Sequence, residues 1–395
     1  MTVGVGCELP PQPAKIKLIA RKHDIFVSRS TFTIGLPRSL SLASSCQHFL
    51  VLGSGPAVTI VGSVLFWEGQ GAGQPDRSTG LFRPLSPATL LLSSAHMRAA
   101  AILGLGCSPK DLKIFQRDKS IDWRMGIPST PDEAEAILVF GGDGTIHRHL
   151  SQLVQLGLPV LVVPVGSGND FARALGLRRV RDSLAAWRRF GAARCNVRSI
   201  DLGVITPLSA DAGAAPAPHE SRYFCSVAGV GLDGEVTRRA NRLPRWLRGH
   251  GGYALTAAPT IFRFAPLPMK ISTTDEAGRW SIRSDQPTLL AAFANTPIYG
   301  GGMKIAPHAK VDDGQLDVCI VGGINPFELF CLFPTVYFGR HLNIREVSYF
   351  QAARIRVETE TPLDIYADGE DVCRTPAEIR TQRDALKVLT PSPQC

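Results

Sequence analysis

A chain of 395 residues is too long for one ordinary core and suits two or three domains. With 44% hydrophobic and 19% charged residues it is not disordered throughout, and nine cysteines without a CxxC pair argue against a disulfide framework or a zinc module, pointing instead to a reducing, cytoplasmic setting. The net charge of +9 suits a phosphate-bearing ligand, an anionic membrane surface or nucleic acid, and does not choose among them.

Residues 1–96 show no sustained period. Their uncharged stretch from Cys46 to Trp67 is long enough to cross a bilayer, but Gly53, Gly55, Pro56 and Gly62 weaken that reading against a loosely ordered extension or an over-long gene start. No secretory signal is expected, and Met97 would serve as the true beginning of the folded region. AAILGLG (100–106) then predicts a first strand and DLKIFQR (111–117) a short helix.

AILVF (136–140) predicts a strand that ends in Gly141, Gly142, Asp143, Gly144 and Thr145. Ile146, Leu150, Leu153 and Val154 follow at helical spacing until Gly157 stops the helix. LPVLVVPVG (158–166) repeats the design, passing through Ser167, Gly168, Asn169 and Asp170 into the helix-like FARALGL, ended by Gly176. Tandem units of this kind predict parallel strands with crossover helices. Segment 178–200, with Leu184, Trp187 and Phe190, predicts one more helix. Beyond Asp201, short β-like runs such as RYFCSVAGVG, TLLAAFAN, QLDVCIVG, ARIRVETE and LDIYADGE predict an antiparallel sandwich, with residues 207–219 as a solvated loop.

Both glycine turns fall where a parallel strand hands over to a helix, the place where backbone N–H groups converge on a phosphate. Asp143 would repel bare phosphate there, so a cation such as Mg²⁺ is expected with it. In order and spacing, GGDGT, PVGSGNDFAR, NTPIYGGGMKIAPHAKVDDGQLDV (295–318) and DIYADGED (364–371) resemble the diacylglycerol kinase catalytic family, over residues 97 to about 390. That family also contains the sphingosine, ceramide and bacterial soluble lipid kinases.

The resemblance implies a three-layer α/β nucleotide-binding domain over 97–200 and a β-sandwich lipid-substrate domain over 201–395, with ATP in the cleft between them. By it, Gly141, Gly142, Asp143, Gly144, Thr145, Ser167, Asn169 and Asp170 contact the nucleotide, and Asp201 enters the same polar network. Asp313, with the main-chain carbonyls of Lys310 and Gln315, ligates a structural Mg²⁺. Glu370 is the general base toward the lipid hydroxyl, with Asp368 beside it in the catalytic turn.

Plainer readings stand next to these. Asn169 could simply cap the FARAL helix, Asp201 could be a strand-start aspartate, Asp312 and Asp317 read as ordinary turn carboxylates, and DGE could be an exposed hairpin turn. The family's usual glutamate after GGDGT is replaced by Arg148. The flanking His147 and His149 lie on different helix faces and are not read as metal ligands.

RRANRLPRWLRGH (238–250) and LFPTVYFGRH (332–341) carry arginines beside Leu, Trp, Phe and Tyr. They suit an interfacial segment at an anionic membrane surface as well as they suit a solvated basic face. Nucleic acid is not expected as a partner, and a homodimer is left open. The leading expectation is an ATP- and Mg²⁺-dependent lipid kinase, cytoplasmic and peripheral to the membrane. The alternatives are an NAD kinase, which also uses a GGDGT turn, and a non-catalytic lipid- or nucleotide-binding relative.

Overall fold

The computed structural model describes residues 50–52, 59–61, 96–208, 221–242, 253–275 and 277–392. Most of the 46–67 stretch, residues 209–219 of the expected loop and residues 243–250 of the arginine-rich segment lie outside them. The chain divides into two compact units, Met1–Ser94 and Ala95–Cys395. In the first, strands β1 (Leu50–Leu52) and β2 (Thr59–Val61) pair antiparallel inside the stretch weighed as a membrane span. No helix among the described residues is long and apolar enough to cross a membrane.

The second unit opens with a four-stranded parallel sheet. β3 (Met97–Leu103) lies between β4 (Ile121–Met125) and β5 (Ala136–Gly141), and β6 (Val160–Pro164) follows on the other side of β5. All six residues of β5 are buried, as expected of a strand covered on both faces. Helix α2 (Asp143–Leu156) buries Ile146, Leu150 and Leu153, and Gly157 ends it with φ 61°, a left-handed position that favours glycine. The short α3 (Asp170–Ala174) and the longer α4 (Val180–Ala193) follow.

The expected helix over DLKIFQR is shorter: α1 is one turn, Pro109–Leu112, fitted with Ser108 and Asp111 as a capping pair. Phe115 then drops into the core edge-on to Phe140 and draws the chain out of the helix. β4 was not foreseen. It is an edge strand with only partial burial, so IDWRM carries no clear alternation.

The sandwich strands are β7 (Val197–Pro207), β8 (Arg222–Phe224), β9 (Val227–Gly231), β10 (Leu267–Thr274), β11 (Trp280–Ala294), β12 (Leu316–Gly322), β13 (Val347–Ala352), β14 (Arg354–Thr359), β15 (Asp364–Ala367), β16 (Glu370–Arg374) and β17 (Ala377–Leu389). β11 pairs with β10 through its first half and with β9 and β12 through its second, changing partners at a register shift near Thr288–Leu290. Helices α5 (Leu232–Ala240), α6 (Tyr253–Ile261) and α7 (Pro326–Leu332) and the 3₁₀ turn Phe333–Phe338 complete a further apolar cluster, which includes Val236, Ile261 and Val336.

β7 passes through residue 200 without a break, and β17 returns along it to pair with β6. Ile200, Leu202, Leu386, Val388 and Leu389 therefore pack in the α/β core, while Ile205 and Ile379 of the same strands pack in the sandwich core. Two shared strands, rather than a linker, join the lobes. Between Gln382 and Leu386 their register shifts, and Asp384 sits there at φ 49°.

Candidate active site

The two glycine turns touch backbone to backbone. A Cβ added to Gly142 would lie 2.3 Å from the Gly168 carbonyl oxygen, and one added to Gly166 would lie 2.4 Å from both N and Cα of Gly142. Thr145 turns inward: a Cβ on either Gly104 or Gly141 would come within 2.4 Å of its Oγ1, so the glycines at the ends of β3 and β5 make room for it. Because what opposes Gly166 is main chain that cannot swing aside, Gly166→Ala is expected to lower stability by about 2–3 kcal/mol. Thermal unfolding, together with loss of nucleotide binding, checks this.

Asp143 begins α2, yet its carboxylate serves α3. Oδ2 accepts the N–H of Asp170 (3.0 Å) and Oδ1 that of Phe171 (3.1 Å). Burial and the nearby Asp170 push its pKa up to about 7 against those two bonds. Asn169 does not cap α3 with its side chain. Its amide closes the turn on Gly166, accepting from N (3.2 Å) and donating to O (2.8 Å). Ser167 is exposed at the tip of that turn. Buried Asp170 accepts from Arg173 (2.6 Å) and from the N–H of Gly301 (2.7 Å), tying the second turn to the GGG loop of the other lobe.

ADGE forms a two-residue hairpin turn between β15 and β16, with φ 51° at Asp368 and 87° at Gly369. Both of its carboxylates approach α2. Asp368, with a fully buried side chain, accepts from the N–H groups of Cys225 and Ser226 (2.8 Å each), from the Cys225 thiol (3.4 Å) and from His147 Nδ1 (3.1 Å). Glu370 lies close to the helix start: a Cβ on Gly144 would lie 3.0 Å from its Oε1, so this carboxylate stands over the first turn of α2.

Sequence reasoning passed over His147, whose partner is 221 residues away. Burial pulls the imidazole pKa down, but the hydrogen bond and charge of Asp368, aided by Glu370, outweigh that, and the net shift is upward. Arg148 is exposed.

Asp201 is apart from the glycine turns. Its carboxylate accepts the N–H groups of Gly314 (2.6 Å) and Asp384 (2.9 Å), so it clamps the VDDG turn onto the register shift of β17. These bonds place Asp201 beside the VDDG turn, at a seam between the lobes. In that VDDG turn, Asp313 accepts from the Gln315 N–H (3.0 Å) and from Gln351 (3.1 Å). Asp317 is not a turn carboxylate: it is buried in β12 against Tyr349 and Gln351, and burial raises its pKa. Asp312 pairs with Arg198 (3.0 Å).

Among the described residues no cluster of three or more His, Cys, Asp or Glu forms a metal centre. The Asp313 carboxylate is held in place by the Gln315 N–H and the Gln351 amide. A carboxylate ordered in this way is the kind of oxygen ligand a hard divalent cation such as Mg²⁺ prefers.

An apolar cavity lies in the sandwich lobe among Leu232, Val236, Ile261, Leu290, Met303 and Phe333. At its polar side the Tyr299 hydroxyl donates to buried Asp233 (2.7 Å).

The site thus combines glycine turns on a parallel sheet with a carboxylate hairpin from a β-sandwich that holds an apolar cavity. Residues 114–205 match the sequence model of the diacylglycerol kinase catalytic domain, and residues 226–390 match that of the YegS C-terminal NAD kinase beta sandwich-like domain. A diacylglycerol kinase of Mycobacterium tuberculosis (strain CDC 1551 / Oshkosh) is 32% identical over 319 residues, covering 79% of this chain and 94% of that protein. A diacylglycerol kinase of Bacillus subtilis (strain 168) is 28% identical over 66% of this chain and 78% of its own length. The crystal structure of a diacylglycerol kinase from Bacillus anthracis str. Sterne shares the fold, with a TM-score of 0.51 at 17% identity over 75% of this chain and 97% of that one. The chain belongs to the diacylglycerol kinase family and is a lipid kinase.

Proposed function

We propose that the protein transfers the γ-phosphoryl group of ATP to the hydroxyl of diacylglycerol or a similar lipid alcohol, with Glu370 as general base. The approach of Glu370 to Gly144 carries this reading, because it puts a proton acceptor directly over a phosphate cradle. A primary alcohol is a poor nucleophile at neutral pH, and a positioned base is what the reaction needs.

The α/β lobe, from 97 to 200, takes the nucleotide. The main chain of Gly141, Gly142, Gly144 and Thr145 and the Gly166–Asp170 turn offer N–H groups, and the exposed Ser167 hydroxyl adds a donor. Asp143 orders both helix starts and, with its pKa about 7, ionises near neutrality when positive charge arrives. Mg²⁺, when bound, supplies charge neutralisation on the phosphates. Asp143 faces the cradle, and Lys310, Asp313 and Gln315 would hold a second, structural ion. Asp368 acts as a positioning residue, since its carboxylate is fully engaged behind the hairpin.

The sandwich lobe takes the lipid, with acyl chains in the apolar cavity. The elements that wall the cavity also display Phe262, Phe327, Phe330 and Phe338, respectively 53%, 68%, 44% and 72% exposed, with Arg263 and Arg340 next to them in sequence. That surface suits docking on the cytoplasmic face of an anionic membrane. Changing Phe327 and Phe338 together to Ser is expected to weaken binding to anionic vesicles about tenfold while leaving turnover of a soluble short-chain lipid intact. Vesicle co-sedimentation beside a micelle-free assay reads both.

Incubation with labelled ATP tests the reaction itself. Label in a chloroform-soluble product supports it, label in a dinucleotide points to an NAD kinase, and no transfer to any alcohol sinks the assignment.

A further inference from the structure

The imidazole of His147 bridges the two lobes beside Glu370. It projects from α2 in the α/β lobe, and its Nδ1 lies 3.1 Å from the Asp368 carboxylate in the sandwich hairpin. His147 stands three residues after Gly144, so the two share one face of the helix, and the Gly144 position is the one that Glu370 Oε1 overhangs. A carboxylate only accepts, so Nδ1 carries a proton. Nε2, across the ring, has no partner among the described residues and is not buried; the side chain is 15% exposed.

A phosphoryl group in transfer spreads charge over its equatorial oxygens, and kinases of other folds meet it with a lysine or arginine. The glycine turns at 141–145 and 166–170 contain neither, and Arg173, just beyond, is paired with Asp170 at 2.6 Å. Resting on the lipid-kinase reading, we infer that His147 is a catalytic residue: as imidazolium it donates a hydrogen bond from Nε2–H to an oxygen of the γ-phosphoryl group, while Nδ1–H stays on Asp368. Glu370 still takes the proton of the lipid hydroxyl, and His147 neither gains nor loses one during transfer. Asp368 and Glu370 of the hairpin favour the charged ring, burial and Arg222 of β8 oppose it, and the net shift of its pKa is upward. A bound triphosphate adds to the favourable side.

Two amides divide the functions of the ring. Asn sets its N–H where Nδ1 stands and keeps the bond to Asp368, whereas Gln reaches the Nε2 position and keeps a donor there. At pH 7, His147→Asn is expected to lower kcat about 10²-fold and His147→Gln only about tenfold, with KM for a short-chain lipid within about threefold in both. A ring that merely held the hairpin would give the inverse order, with Asn close to the unaltered protein, and that order overturns the inference.

A second measurement needs no turnover. NMR titration of the His147 ring in the unaltered protein is expected to show about tenfold higher proton affinity with the non-hydrolysable analogue AMP-PNP bound than with ADP bound. Equal affinities in the two complexes overturn the inference whatever the variants do. If label passes from ATP to no alcohol, the kinase reading fails by itself, and the AMP-PNP titration still reads the contact with the γ-phosphate. Failure of AMP-PNP to bind at all overturns both.

Discussion

Glu370→Gln is expected to lower kcat by about 10²–10⁴-fold and to leave the KM for ATP within about threefold of its original value. The amide has the shape of the carboxylate and can remain over Gly144, but it cannot take a proton from the attacking hydroxyl. Little else should change. The hairpin is anchored from behind by Asp368 and by the Asn241 amide on the Gly369 carbonyl (2.7 Å), not by the exposed Glu370 side chain. A single-turnover measurement with a short-chain lipid isolates the chemical step from product release. A loss smaller than about threefold would reduce Glu370 to a turn residue and would remove the base from the reaction.

The same hairpin shows what the sequence can carry. DG between two alternating runs announces a tight turn with two left-handed residues, and the structure has it at Asp368 and Gly369. The strand–turn–helix units around Gly142 and Gly166 are equally readable, because their apolar periods and glycine stops are local. What a period cannot show is which carboxylate points where. Asp143 reads as a lone charge in a phosphate cradle, yet the N–H groups it binds belong to residues 27 and 28 positions further on. Asp368 and Glu370 are two positions apart and have different partners, a distinction that appears only when β9 supplies the Cys225 and Ser226 N–H groups to Asp368.

Boundaries suffer for the same reason. A change of composition near Asp201 suggests a division, whereas β7 crosses that point because its partner β17, nearly two hundred residues away, has to serve two cores. The meeting of the four motifs was legible only through the family's pattern. The Asp143 cap, the Asp170–Gly301 tie and the His147–Asp368 pair all depend on residues brought together from distant segments.

Asp368→Ala is expected to destabilise the protein by about 3–4 kcal/mol, a fall in melting temperature on the order of 10 °C. The carboxylate is buried and takes two backbone N–H groups, a thiol and an imidazole, so its removal strands two buried main-chain donors. The Cys225 thiol cannot compensate by ionising, because burial, the larger cause of its raised pKa, remains when the carboxylate is removed.

His147 adds a pH-dependent part to that loss. Its folded pKa is raised above the ordinary histidine value of about 6.5. The pairing with Asp368 is therefore fully present below that pH and fades as the pH rises through the higher folded value. The groups facing the ring act in both directions: Asp368 and Glu370 favour its charge, and Arg222 opposes it. His147→Asn should thus be destabilising at pH 6 and approach the unaltered protein as the pH rises through the folded value, whereas Asp368→Ala should remain destabilised throughout. Melting curves of the three proteins between pH 5.5 and 8.5 separate the contributions. A His147→Asn deficit that stays constant across that range would mean the imidazole holds the hairpin by shape and hydrogen bonding alone, with no part played by its charge.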